Sequence, residues 1–156
     1  MTNDPIKHII CAVRGQPESR ETAIRAIDLA LEHEAHLTFC LVIDFEFLGQ
    51  AAPTLTSLKA AYRQIEEMGE FSMLILRDRA QRRGVDKVDY LIRRGKIPEQ
   101  LRKLASEVDA DVMVLGRPMG SMGRNIFSLD EFNRFVEDLE KNIGIRIVQV
   151  LHQESE

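Results

Sequence analysis

Short apolar segments alternate with amphipathic stretches along most of the chain. The apolar segments are five to eight residues long and rich in β-branched residues, as is typical of buried strands; they cover residues 6–13, 37–43, 88–92, 111–115 and 145–151. Between them, apolar residues recur at spacings of three and four, which predicts helices with one apolar face. This alternation predicts an α/β fold whose parallel sheet is covered by helices on both faces.

The longest predicted helix follows a stretch without clear periodicity, residues 44–53, which we interpret as a loop. The apolar stripe of this helix begins at Leu55 and includes Met68, and we interpret it as ordinary core packing. The helix is predicted to end at Gly84, because glycine is a common C-cap residue and the two preceding arginines suit the negative end of a helix.

A glycine-rich stretch follows the fourth predicted strand. It reads Gly116-Arg117-Pro-Met-Gly120-Ser-Met-Gly123-Arg124 and leads into Ser128-Leu-Asp-Glu131, a capping-box pattern that predicts the start of a helix. Glycines let a backbone approach phosphate, and the N–H groups at a helix start point toward it. Ligands of such folds bind beyond the carboxyl ends of the strands, where the strand order reverses. The loops after the first and fourth strands are therefore predicted to form any ligand site.

Composition and charge narrow the class of protein. The chain has 156 residues, of which 44% are hydrophobic and 29% charged, as in an ordinary soluble domain with a substantial core. The net charge of -4 argues against a general nucleic-acid partner. No apolar run approaches the length of a membrane span, and the polar N-terminus carries no signal-peptide segment. We therefore expect a cytoplasmic protein without a membrane partner.

Residue types that carry catalysis or bind metals are scattered along the chain. Cys11 and Cys40 each lie within an apolar run without a second ligand at metal-binding spacing, so both are interpreted as reduced core thiols. His33 and His36 flank a turn, and we expect them to be solvated. Neither a Gly-x-Ser-x-Gly elbow nor a Gly-Lys-Ser/Thr phosphate loop occurs. We therefore predict no catalytic residue and no metal site, and we expect that the protein is not an enzyme.

Several segments in the right order resemble the universal stress protein family. They are Ile10-Cys-Ala-Val-Arg-Gly-Gln-Pro-Glu-Ser19, Arg94-Gly95-Lys-Ile-Pro98, Ala110-Asp111-Val-Met-Val-Leu-Gly116, the glycine-rich stretch and the short apolar last strand. The resemblance implies a five-stranded parallel, Rossmann-like sheet in the order 3-2-1-4-5, as in adenine nucleotide alpha hydrolase-like proteins, with residues 1–156 as a single domain. It also implies homodimers, often through the last strand, which makes Val148 and Val150 candidate interface residues.

Members of this family that bind ATP carry a pattern of Gly, two residues, Gly, nine residues, then Gly followed by Ser or Thr. Gly120 and Gly123 supply the first half of that pattern, but nine residues further on stand Asn133 and Arg134. The acidic residue that ends the first strand in ATP-binding members is here Arg14. The resemblance therefore implies a member without tight ATP binding and with no required cofactor, although ATP or AMP stays possible.

Arginines could still form an anion site at the predicted carboxyl edge of the sheet. Guanidinium groups bind phosphate through paired hydrogen bonds. The alternative is that these arginines pair with Asp44, Asp130 or Glu131 and fill the crevice. The candidate nucleotide- or anion-binding residues are Ala12, Val13, Arg14, Gly116, Arg117, Gly120, Gly123, Arg124, Asn133 and Arg134.

Two functions remain open at this stage. The first is a dimeric, non-enzymatic stress-response or regulatory protein whose protein partners the sequence does not identify. The second is a nucleotide-binding switch or slow ATPase that uses the loop from Gly120 to Gly123. A receiver-type signalling domain needs clustered carboxylates after the first strand, and Val13-Arg14-Gly15 offers none.

Overall fold

The computed structural model describes residues 5–14, 19–44, 55–117 and 129–151, and strands alternate with helices within these ranges. The strands are β1 (His8–Val13), β2 (His36–Ile43), β3 (Val88–Arg94), β4 (Val112–Gly116) and β5 (Arg146–Val150). The helices are α1 (Ser19–His33), α2 (Leu55–Arg82), α3 (Ile97–Glu107) and α4 (Leu129–Asp138), and α4 continues as a π-helical turn, Leu139–Ile143. The predicted alternation is confirmed.

The strands form one parallel sheet in the order β3-β2-β1-β4-β5. Residue His8 of β1 pairs with His36 of β2, and Ala12 pairs with Leu115 of β4. The fold class and the strand order implied by the resemblance are confirmed. Because the chain proceeds from β1 outward to β3 and then returns to β4 on the other side, the strand order reverses between β1 and β4.

Each face of the sheet carries its own apolar core. Helices α1 and α2 cover one face, and that core includes Ile9, Cys11, Phe39, Met73 and Val114. Helices α3 and α4 cover the other face, where the core includes Ile10, Cys40, Leu104, Met113 and Phe132. The prediction that both cysteines are buried core thiols is confirmed. That residues 1–156 form a single domain stays a prediction.

Strand β3 is longer than the apolar pattern predicts. The pattern ends at Ile92, but Arg93 and Arg94 continue the pairing with β2. Arg93 forms an ion pair with Glu107 of α3, and Arg94 forms one with Glu66 of α2. The apolar pattern does not include Arg93 and Arg94, because these residues of the edge strand form ion pairs on the two faces of the sheet and are not apolar.

Helix α2 packs on the sheet along most of its apolar stripe, since Ile65, Leu76 and Ala80 lie in or against the core, but one residue of the stripe does not. Met68 was expected in the core stripe, but its side chain is 64% exposed, so this prediction is wrong. The position that faces the sheet at this level is Gly69, where a Cβ atom would lie 2.7 Å from the Leu41 side chain. The helix therefore lies close to the Leu41 side chain at this level, and a larger residue would require that side chain to move. A glycine adds nothing to an apolar pattern in the sequence.

The predicted end of α2 at Gly84 is confirmed, and a second glycine ends the π-helical turn. Gly84, after α2, has φ +109°, and Gly144, after the π-helical turn, has φ +78°. The Gly144 N–H donates to the Leu139 carbonyl at 2.9 Å. Both positions adopt the left-handed backbone that glycine enters without a Cβ clash.

Candidate functional site

The candidate ligand site lies at the carboxyl edge of the sheet, where the strand order reverses between β1 and β4. Ala12 and Val13 form the end of β1, and Gly116 forms the end of β4. Val13 is buried among the residues under α1, and Ala12 packs against the core under α3 and α4. Since both side chains face the cores, only the ends of the strands and the residues after them are placed to meet a ligand.

Two arginines follow these neighbouring strands. Arg14 comes directly after β1 and is exposed, and Arg117 comes directly after β4 and is half-buried. The Arg117 N–H donates to the Val150 carbonyl at 2.9 Å, and its guanidinium lies 3.5 Å from Gln149 Oε1. The backbone donor of Arg117 is therefore used by β5, which leaves its guanidinium as the group that could approach an anion.

The start of α4 brings negative charge to the region that a phosphate would occupy. Asp130 and Glu131 lie in the first helical turn, and both side chains are exposed. Carboxylates are stabilised there by the positive end of the helix dipole. The same end is the usual attractor of phosphate in α/β proteins, so these carboxylates oppose a phosphate instead of attracting it.

Asn133 and Arg134 lie inside α4, at its fifth and sixth residues, and both are exposed. Backbone N–H groups this far into a helix donate to carbonyls of the preceding turn, so they are not available to a ligand. Asn133 instead lines a shallow depression together with Val136, Glu137, Glu140 and Lys141, in which Glu137 and Lys141 form an ion pair. Gly120, Gly123 and Arg124 lie outside the described residues.

A polar cluster at the opposite, amino edge of the sheet was not predicted. The rings of His8 and His36 stack with their centroids 4.2 Å apart and their planes 14° apart. Buried Thr38 lies 2.7 Å from His8 Nε2 and donates to Asp89 Oδ1 at 2.7 Å. The second oxygen of Asp89 lies 3.0 Å from His36 Nε2. The expectation that His36 is merely solvated is wrong, whereas His33 is exposed as expected.

The hydrogen-bond directions in this cluster follow from Thr38. Because its hydroxyl proton goes to Asp89, its oxygen must accept the proton on His8 Nε2. Burial lowers the pKa of His8, and neighbouring His36 lowers it further, although Asp89 and Asp111 act in the opposite direction. A neutral His8 therefore fits the cluster. The sequence signal for this cluster is two histidines at the starts of strands that pair in register, a relation that only the strand order reveals.

Asp111 anchors the same edge through the backbone. Its carboxylate oxygen Oδ2 accepts the N–H groups of Lys7 and His8 at 2.8 and 3.0 Å. This ties the start of β1 to the residue before β4.

Both cysteine thiols lie inside the apolar cores. Burial raises the pKa of the Cys11 thiol, and burial also raises the pKa of Cys40, to about 12, against the opposing effect of Arg93. Thiols held protonated in this way are poor nucleophiles. No group of three or more histidine, cysteine, aspartate or glutamate side chains suited to a metal ion occurs in the described parts of the chain.

The sheet order and the helices on both faces define a doubly wound, Rossmann-like α/β fold. Residues 5–128 match the model of the universal stress protein family. The chain therefore belongs to the universal stress protein family, which confirms the resemblance. No curated protein sequence gave a significant match.

Solved structures of family members share the fold at low sequence identity. Universal stress protein UspA from Lactobacillus plantarum superimposes with a TM-score of 0.73 at 16% identity, over 97% of this chain and 100% of that one. A universal stress protein in complex with cAMP gives a TM-score of 0.64 at 20% identity, over 96% and 100% of the two chains. The universal stress protein from Archaeoglobus fulgidus in complex with dAMP gives a TM-score of 0.56 at 15% identity, over 96% of this chain and 100% of that one.

Among the described residues, no helix is both long and apolar enough to cross a membrane.

Proposed function

We propose that this universal stress protein acts as a non-catalytic stress-response regulator that does not bind ATP at micromolar concentrations. The observation that carries the proposal is the first turn of α4, where Asp130 and Glu131 stand at the helix end nearest the ligand edge. A triphosphate placed there would meet two carboxylates. In addition, Arg14 is a cation at the position where ATP-binding family members carry an acidic residue.

The free energy lost with two phosphate contacts supports the proposal. Asn133 and Arg134 stand where ATP-binding family members carry the Gly and Ser or Thr of the phosphate loop. A hydrogen bond to a charged group contributes about 1.5–3 kcal/mol net. Loss of two such bonds to phosphate weakens binding by about two to four decades, because 1.4 kcal/mol corresponds to a factor of about ten. An ATP site with a dissociation constant of about 1 µM would then become one of about 0.1 to 10 mM.

A direct experiment is to denature the freshly purified protein and separate the released small molecules by chromatography. We expect no adenine nucleotide in amounts comparable to the protein. A near-stoichiometric release of ATP would contradict the proposal.

A nucleotide- or anion-responsive switch is the second candidate function. It is favoured by the placement of Arg14 and Arg117 after neighbouring strands at the reversal point, and by the cAMP and dAMP complexes of two similar structures. A monophosphate carries less charge than ATP and so meets less repulsion from Asp130 and Glu131. Titration with AMP beside ATP separates the two candidates, since the switch requires AMP to bind more tightly than ATP.

We also propose that the regulator is a homodimer joined through β5. The strand lies at an edge of the sheet, and Val148 and Val150 are half-buried against the core under α1. Open strand edges favour pairing with a second chain.

A matched pair of variants tests this interface. We expect Val148→Lys to shift the protein toward a smaller species in sedimentation. Val88→Lys is the control, because Val88 is also half-buried against the same core but lies on the opposite edge strand. Equal masses for wild type and Val148→Lys would exclude the β5 interface.

A further inference from the structure

Helix α2 carries an apolar surface on the side that faces away from the sheet. The side chains of Met68, Phe71, Leu74 and Ile75 are 64%, 67%, 38% and 44% exposed. Their spacing of three, six and seven residues places them side by side over about two helical turns. We call these four residues the α2 patch.

The α2 patch is not explained by the packing of α2 on the sheet. That packing is made on the other side of the helix, by Gly69, Met73 and Ala80. A helix that is apolar on both sides is normally covered on both sides. A contiguous exposed apolar patch of this kind marks an interaction surface.

We propose that the α2 patch is a second self-association surface, which pairs with the α2 patch of another copy of this chain. The two helices run antiparallel about a two-fold axis at Phe71. This surface lies beside β3, at the opposite edge of the sheet from β5, so it is separate from the dimer interface proposed above.

The apolar pattern is self-complementary about Phe71. A two-fold axis pairs positions that lie equally far before and after it, so Met68 faces Leu74 of the other copy. Phe71 then faces its own counterpart across the axis. Ile75 lies opposite Glu67, which is exposed, so the apolar contact is centred on Met68, Phe71 and Leu74.

The charges that flank the α2 patch select the antiparallel direction. Arg63 lies eight residues before Phe71 and Asp78 seven residues after it, and both are exposed. The antiparallel arrangement places Arg63 of one copy level with Asp78 and Arg79 of the other. Of these two, Asp78 is exposed and Arg79 is half-buried, so Arg63 meets Asp78, which also pairs with Arg82 at 2.9 Å. A parallel arrangement would instead place Arg63 on Arg63 and Asp78 on Asp78, which is repulsive.

The size of the surface sets the expected strength. The segment from Arg63 to Asp78 spans only about 22 Å of helix at about 1.5 Å per residue. A stable interface usually buries about 800 Å² per partner. The α2 contact is therefore reversible and depends on protein concentration.

Sedimentation of the full chain over a wide concentration range tests the proposal. We expect Phe71→Glu to weaken the concentration-dependent association by about tenfold or more, because a central aromatic residue dominates such contacts. Leu74→Glu should act in the same direction, whereas Leu91→Glu should have no effect. Leu91→Glu is the matched control for Leu74→Glu, since the two side chains are 37% and 38% exposed and only Leu74 lies in the α2 patch.

A charge exchange tests the direction of the contact. Arg63→Asp and Asp78→Arg should each weaken association, and the double variant should restore it. Failure of the double variant to restore it would overturn the antiparallel arrangement. If Phe71→Glu sediments like wild type at every concentration, the α2 patch does not mediate self-association. Loss of association in Phe71→Glu with no change in Val148→Lys would support the α2 contact and remove the β5 dimer.

Discussion

The two edges of the sheet use polar side chains in opposite ways. At the amino edge, His8, His36, Thr38 and Asp89 bond to one another, and Asp111 holds backbone N–H groups. At the carboxyl edge, the backbone of Arg117 is bonded to β5, and a second guanidinium follows the neighbouring strand. The comparison teaches that polar side chains bonded to one another stabilise a fold, whereas neighbouring positive charges are what a weak anion site requires.

The largest effect should follow from removing the anchor at the amino edge. We expect Asp111→Ala to lower the free energy of unfolding by about 2–3 kcal/mol, because two N–H groups lose a charged acceptor. Urea denaturation measures the change. Asp86→Ala, at an exposed position before β3, serves as the control and should alter stability little. Equal losses in both variants would show that the anchor contributes nothing specific.

A smaller loss is expected within the network itself. Thr38→Val should cost about 1–2 kcal/mol, because His8 and Asp89 both lose a partner while the volume is kept. Thr22→Val is a stringent control: Thr22 is equally buried, but its hydroxyl has no hydrogen-bond partner among the described residues. Thr22→Val should leave the free energy of unfolding unchanged or raise it. A larger loss of stability in Thr22→Val than in Thr38→Val would refute the role of Thr38.

The network should also make stability depend on pH. The pKa of His8 is lowered in the folded state from its ordinary value of 6.5, so the unfolded chain binds more protons just below that pH. Stability is then complete above pH 6.5 and falls as the pH drops below it, by less than about 1.4 kcal/mol per unit.

Denaturation at several pH values measures this slope. His8→Gln should reduce it, while His33→Gln, which changes an exposed histidine, should leave it unchanged. A slope that is the same in wild type and His8→Gln would assign the pH dependence to other groups.

The smallest effect is expected at the carboxyl edge. If AMP binds weakly there, Arg117→Gln should reduce its affinity by about tenfold or less, which corresponds to about 1.4 kcal/mol. Arg146→Gln, at the amino end of β5, should not change it. Equal affinities for AMP in wild type and Arg117→Gln would place any anion site elsewhere.

Local patterns in the sequence predict much of this fold but little of the amino edge. The five strands, the covering helices and the buried thiols follow from apolar runs, and the strand order follows from the family resemblance. Met68 was misplaced because the position that faces the sheet is Gly69, which adds nothing to an apolar pattern. The partners of His8, His36 and Thr38, are distant from it in sequence, so only the register of β1 on β2 brings them together. The register of β2 on β3 adds Asp89.

At the carboxyl edge, the sequence correctly placed Arg14 and Arg117 directly after neighbouring strands. The site itself stays a prediction, because Gly120, Gly123 and Arg124 lie outside the described residues. The count of residues after Gly123 places Asn133 and Arg134 where ATP-binding family members carry the Gly and Ser or Thr that close the phosphate loop. The sequence did not reveal that both residues lie inside α4, where backbone N–H groups donate within the helix, because that depends on the start of the helix at Leu129.

Calorimetric titration of the dialysed protein with ATP, at near-physiological salt, tests the central claim most directly. Asp130 and Glu131 at the start of α4, together with Arg14 in place of an acidic residue, predict a dissociation constant well above about 10 µM, so heats beyond dilution should be absent at micromolar ATP. A dissociation constant below about 10 µM would contradict the account.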